Sequence, residues 1–93
     1  NLTLYIELSA QIGTYVEKIS HQHLLDTQGL YCPEPVMMLH SKIAEMNSGE
    51  VVLIIATDPA TERDVPKFCQ FLGHILSFCE KNDEQYRYFV QKK

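Results

Sequence analysis

From residue 21 onward the apolar positions switch between two periods, and the switches mark out six elements. His21–Asp26 is short and partly alternating, and Asp26-Thr27-Gln28-Gly29 bounds it, which predicts a strand ending in a turn. Val36, Leu39, Ile43 and Met46 then recur at +3, +4 and +3, predicting a helix from Pro33 to about Asn47 with that stripe in the core. Lys42 and Glu45 fall on its wet side. Asn47-Ser48-Gly49 closes it, with Gly49 suited to a left-handed cap. Glu50–Ala56 is almost continuously β-branched and aliphatic, as expected of an interior strand, or one covered on both faces. Strand–helix–strand order implies a right-handed crossover and a parallel pair.

After a loop at Thr57-Asp58-Pro59-Ala60, a second apolar stripe runs through Val65, Phe68, Cys69 and Leu72, and Gly73 ends it. Thr61-Glu62-Arg63-Asp64 resembles a capping box, with Thr61 as cap and Asp64 reaching back. Pro66 conflicts with that start, because a proline belongs in the first helical turn, so the expected start moves to Asp64 or Val65. Ile75–Glu80 and Gln85–Gln91 read as an antiparallel hairpin joined through Lys81-Asn82-Asp83-Glu84. The order is β-α-β-α-β-β. The simplest packing that hides both stripes is an α+β, two-layer α/β sandwich: a four-stranded mixed sheet with two helices on one face.

Residues 1–20 fit no single template. Tyr5, Leu8, Ile12, Tyr15 and Ile19 recur at helical spacing, whereas Leu2, Leu4, Ile6 and Leu8 alternate like a strand. The stretch is set apart as an extension or leader without assigned function, leaving residues 21–93 as the domain. Its lack of a basic start and cleavage site, with Glu7 interrupting the apolar run, argues against a secretory signal and a membrane span.

Composition narrows the function. A formal charge of −4 argues against a protein that lives on phosphate backbones, so no direct tRNA binding is expected. The three cysteines, Cys32, Cys69 and Cys79, form no Cys-x-x-Cys pair, and the four histidines are scattered, so no metal site is indicated. An odd cysteine count without a signal peptide reads as cytoplasmic and reduced. Cys69 on a helix stripe and Cys79 within a strand read as packing residues.

Cys32 is different, because it stands in Gly29-Leu30-Tyr31-Cys32-Pro33-Glu34-Pro35, immediately before a proline expected to open a helix. At or beside an N-cap, free amides and the helix dipole would favour the thiolate, which predicts a pKa below the usual value of about 8.5. Pro33 and Pro35 stiffen its presentation, while Glu34 adds an opposing charge. A small buried residue at a turn remains the plainer reading of the same pattern. No general base stands nearby in sequence, since His40 is two turns further on; an activated thiol without acid–base partners suggests a carrier, not a hydrolase. In the expected topology the Asp58–Asp64 loop emerges beside the Cys32 loop at one sheet edge. Capping accounts for Thr61 and Asp64 but not for Arg63, which could orient a sulfur species or a partner's carboxylate. Tyr86-Arg87-Tyr88-Phe89 reads as sheet packing rather than a base-stacking platform.

These residues, in this order, resemble a known family. Leu25-Asp26, Gly29-Leu30-x-Cys32-Pro33-Glu34-Pro35-Val36-Met37, Gly49-Glu50, Asp58-Pro59-Ala60-Thr61-x-Arg63-Asp64-x-Pro66, Phe68-Cys69-x-Phe71 and Tyr86-Arg87-Tyr88 look like the TusA, or SirA-like, family over roughly residues 24–92. The resemblance implies a two-layer α/β sandwich that carries sulfur as a persulfide on Cys32, within Cys-Pro-x-Pro, with no cofactor. It further implies a cysteine desulfurase of the IscS type as donor and a TusBCD-type relay complex as acceptor, toward tRNA 2-thiouridine. Molybdenum-cofactor supply, other sulfur pathways and a regulatory or RNA-binding role of the same fold are the alternatives. The implied mechanism is transpersulfidation, which makes the chain a protein cosubstrate more than a stand-alone enzyme, although such carriers are grouped with transferases. Two departures, Tyr31 and His40-Ser41, stand where many members are more basic, which weakens the positive surface that would meet an acidic partner.

Overall fold

The computed structural model describes residues 20–93; the conflicting patterns in residues 1–19 lie outside the described residues. Strand β1 (His23–Thr27) leads to helix α1 (Glu34–Glu45), strand β2 (Val51–Ala56), helix α2 (Thr61–Leu72) and the hairpin β3 (Ile75–Asn82) and β4 (Gln85–Gln91). The order β-α-β-α-β-β is the expected one. The sheet runs β1-β2-β4-β3, with β1 parallel to β2 and the other pairs antiparallel. The continuous apolar run is therefore interior, flanked by β1 and β4.

Both stripes bury as the spacing requires. Leu39, Ile43 and Met46 of the first and Val65, Phe68 and Cys69 of the second join Leu25, Val52, Ile54, Tyr86, Tyr88 and Val90 in one core between helices and sheet. Side chains such as Leu39 and Val65, at 0% and 1% exposure, each contribute about 1.5–3 kcal/mol by leaving water. Tyr86, Tyr88 and Phe89 are buried, which confirms sheet packing for that strand.

Several boundaries differ from expectation. Helix α1 ends at Glu45 with Met46 already extended, so Gly49 (φ +89°) serves the turn into β2 and not a helix cap. Strand β1 runs two residues later than expected at its start and one later at its end. Strand β3 continues to Asn82, which pairs with Gln85 and leaves a two-residue turn with Asp83 at φ +54°. Helix α2 starts at Thr61 and keeps Pro66 inside it, so the shift of the start to Asp64 or Val65 is wrong. The first turn of that helix is secured from outside, as the site shows. At its far end Gly73 takes the left-handed conformation (φ +82°), and its amide donates to the Cys69 carbonyl.

Candidate thiol site

Because β1 and β2 are parallel, the loops that follow them leave the sheet at the same edge. The first carries Cys32; the second carries Asp58 and runs into the first turn of α2, which holds Arg63 and Asp64. Hydrogen bonds stitch them together. Thr27, fully buried, donates its hydroxyl to the Ile55 carbonyl at 2.9 Å, and the Gly29 amide donates to Thr57 Oγ1 at 2.8 Å. Gly29 itself sits at φ +83°, a conformation a side chain would strain.

The decisive residue is Asp58. Its carboxylate accepts from the Cys32 amide at 2.7 Å through one oxygen and from the Ala60 amide at 3.0 Å through the other. Its carbonyl accepts from the Thr61 amide at 3.0 Å and the Thr61 hydroxyl at 2.7 Å. With that proton committed, Thr61 Oγ1 can only accept from the Tyr88 hydroxyl 2.8 Å away. One buried aspartate thus fixes the backbone of the cysteine and the opening of α2, and anchors both to β4. Capping-box geometry is absent: Ala60 occupies the cap, no side-chain cap bond forms, and Asp64 does not reach back to Thr61.

Asp64 turns instead to the thiol. Cys32 is exposed, which removes the reading of it as a buried turn residue. Hydrogen bonding to the Asp64 carboxylate does most to raise the thiol pKa above its ordinary value; desolvation and the negative charges of Asp64 and Asp58 add to it and Arg63 opposes it. The same bond, with help from Arg63 Nε at 3.0 Å, holds the Asp64 carboxyl below its usual range. The expected depression of the Cys32 pKa is therefore overturned. Cys32 precedes the helix opening, Pro33 and Pro35 bring no N–H, and the Glu34 amide is spent on the Tyr31 carbonyl at 2.8 Å. The motif that ends in two prolines strips the helix start of the amides that would have faced a thiolate. Glu34 is exposed at the first helical position and is not among the groups acting on the thiol.

An open groove of about 830 Å³ runs from Cys32 and Pro33 between the helices, past Val36, Asp64, Lys67 and Phe68, to Phe71. Phe71 is 89% exposed and Met37 60%. Of the other cysteines, Cys69 is buried, and burial pushes its thiol up to about 11. Cys79 is exposed, so its assignment to packing is corrected: among the described residues β3 is an edge strand, paired with β4 alone. Sequence reasoning placed weight on Arg63 and missed Asp58 and Tyr88. An aspartate two residues before an amide it can accept from is a known turn-former, and that was the available signal.

Fold and site together define a small α+β sandwich that presents one motif-borne thiol at the edge of its sheet. The model of the family described as sulfurtransferase TusA matches residues 23–92. The sulfur carrier protein TusA of Pseudomonas entomophila is 52% identical over 73 residues, covering 78% of this chain and 91% of that protein. The sulfur carrier protein TusA of Pseudomonas savastanoi is 45% identical over 78 residues, covering 84% and 93%. The crystal structure of a SirA-like protein from Desulfitobacterium hafniense shares the fold, with a TM-score of 0.67 at 21% identity over 75% of this chain and 96% of that one. The chain belongs to the TusA family of sulfur carriers. Among the described residues no helix is long and apolar enough to cross a membrane.

Proposed function

We propose that Cys32 accepts sulfane sulfur from a cysteine desulfurase of the IscS type and relays it as a persulfide in the cytoplasm. The observation that carries this reading is an exposed thiol on a backbone that Asp58 pins through the Cys32 amide. Fixing the loop beforehand lowers the ordering cost of meeting a partner. The Cys32 thiolate attacks the outer sulfur of the donor persulfide; a new S–S bond forms, the donor's S–S bond breaks, and the donor thiolate leaves and takes up a proton. The reverse exchange hands that sulfur to an acceptor thiol, with no net oxidation. Asp64 receives the thiol's hydrogen bond at rest, Arg63 balances the carboxylate, and Pro33, Glu34 and Pro35 shape the exposed turn. The acceptor in this reading is a TusBCD-type complex serving tRNA thiolation, with molybdenum-cofactor or other sulfur pathways as further destinations. The chain acts as a cosubstrate, and the desulfurase performs the C–S cleavage.

Incubation with desulfurase and sulfur-labelled cysteine, followed by intact and peptide mass analysis, tests the proposal. One added sulfur on the peptide bearing Cys32, lost in Cys32→Ser and kept in Cys79→Ser, is the expected result. Label on Cys79 alone, or none, overturns it.

A further inference from the structure

The charges gathered at Cys32 have the wrong sign for a thiol that only has to be activated. The Asp58 carboxylate holds its amide at 2.7 Å, and Asp64, whose side chain is 19% exposed, lines the same groove as the sulfur. Arg63 directs its Nε to Asp64 Oδ1 at 3.0 Å. Lys67 lines the groove one turn further along α2, and Glu34 on α1 is exposed and is not among the groups acting on the thiol. Two carboxylates against one guanidinium oppose the thiolate that forms when sulfur is taken up. The same arrangement suits the carrier once it is loaded.

A hydropersulfide has a weaker S–H bond than a thiol and is the stronger acid, so in neutral water it is largely the anion. That anion repels an incoming thiolate, whereas neutral Cys32–S–SH accepts attack on its outer sulfur. Carboxylates beside the S–H favour the neutral form, by accepting its hydrogen bond and by their charge. The outer sulfur lies only about 2.05 Å beyond Sγ, and the groove of about 830 Å³ leaves it room beside Asp64. A carboxylate offers about four acceptor positions, so the Arg63 bond does not exhaust it. We propose that Asp64 holds the S–H of the loaded Cys32 and keeps the persulfide in the neutral, electrophilic form that hands on its outer sulfur. This rests on the reading of Cys32 as a sulfur carrier. An acceptor thiolate attacks the outer sulfur, a new S–S bond forms as the Cys32 S–S bond breaks, and the proton travels with the transferred sulfur. Cys32 leaves as the thiolate and takes a proton from water, so sulfur changes partner with no net oxidation.

The test uses the full chain carrying Cys79→Ser, with and without Asp64→Asn, loaded on Cys32 by inorganic polysulfide and freed of excess. Loss of one sulfur to free cysteine, the acceptor thiol, is followed by intact mass as a function of pH. The two chains should hand over at equal rates at low pH, where both persulfides are neutral. As pH rises Asp64→Asn should fall behind, by up to about tenfold for each unit that its persulfide pKa drops. Trapping of the persulfide anion by iodoacetamide should change in the opposite sense, running several-fold faster in Asp64→Asn at neutral pH. A ratio of handover rates that does not vary with pH overturns the proposal, as does trapping that is unchanged or slowed. Because polysulfide does the loading, a chain that no desulfurase loads still gives both profiles, so this proposal and the carrier reading fail separately.

Discussion

The two loops that leave the sheet at the thiol edge divide the work unequally. The first, from Gln28 to Pro33, is almost wholly exposed and presents the Cys32 thiol. The second, from Thr57 to Thr61, buries Asp58 and Thr61 and presents nothing of its own; its polar groups are spent on holding the first loop and the start of α2. Presentation of the thiol and its support are thus encoded on separate segments 26 residues apart. A mutation in the supporting loop should therefore act on the cysteine without touching it.

The sharpest break in this comparison is Asp58→Ala. It removes two hydrogen bonds to a carboxylate, each worth about 1.5–3 kcal/mol, of which water restores part. A loss of roughly 3 kcal/mol is expected in urea unfolding, with the slope unchanged. Amide exchange at Cys32 and Ala60 should accelerate by more than the global loss explains. If stability falls while Cys32 exchange follows only global unfolding, the second loop does not hold the first.

Thr61→Val comes next. It keeps the shape but leaves the Asp58 carbonyl and the buried Tyr88 hydroxyl each short of a partner. An unfolding loss of about 2 kcal/mol is expected. Combined with Asp58→Ala, the two costs should sum to less than their total, because both act on one network. Strict additivity in that cycle would mean that the anchorage to β4 is separate from the clamp on Cys32.

How much of this could be read beforehand follows the same division. Periodicity located both helices and all four strands because Leu39, Ile43, Val65 and Phe68 must face one core. The exposure of Cys32 followed from its loop. Its electrostatics did not, because they depend on Asp64, thirty-two positions away in sequence and brought to the thiol only by the parallel pairing of β1 and β2. Pro66 taken alone puts the start of α2 too late. A proline within a helix costs about 3 kcal/mol in isolation, but here the Asp58 and Thr61 bonds lock the turn before it. The exposure of Cys79 is illegible for a related reason: membership in a strand says nothing about whether that strand lies at an edge.

Asp64→Asn probes the electrostatic link between the first loop and the opening of α2. Asp64 raises the thiol pKa by accepting its proton and by its charge, so the neutral amide should lower it. Alkylation of Cys32 rises with pH as thiolate forms; its midpoint should move to lower pH in Asp64→Asn, with faster alkylation at neutral pH. Stability should change by less than in either variant above, since the Asp64–Arg63 pair is a surface pair worth at most about 1 kcal/mol. A midpoint that stays put would place the carboxylate out of reach of the thiol.

Arg63→Ala gives the smallest and most discriminating effect. Arg63 favours the thiolate, so its loss should move the alkylation midpoint the other way, to higher pH. The shift should be smaller than that of Asp64→Asn, because Arg63 acts on the thiol only through space whereas Asp64 also accepts its hydrogen bond. Its side chain is 64% exposed, so salt should screen it: at about 1 M ionic strength the screening length falls to roughly 3 Å. The Arg63→Ala shift should then fade toward zero, while much of the Asp64→Asn shift, carried by a direct hydrogen bond, should survive. If both shifts fade together, Asp64 acts on Cys32 by charge alone, and hydrogen bonds hold the cysteine's backbone but not its sulfur.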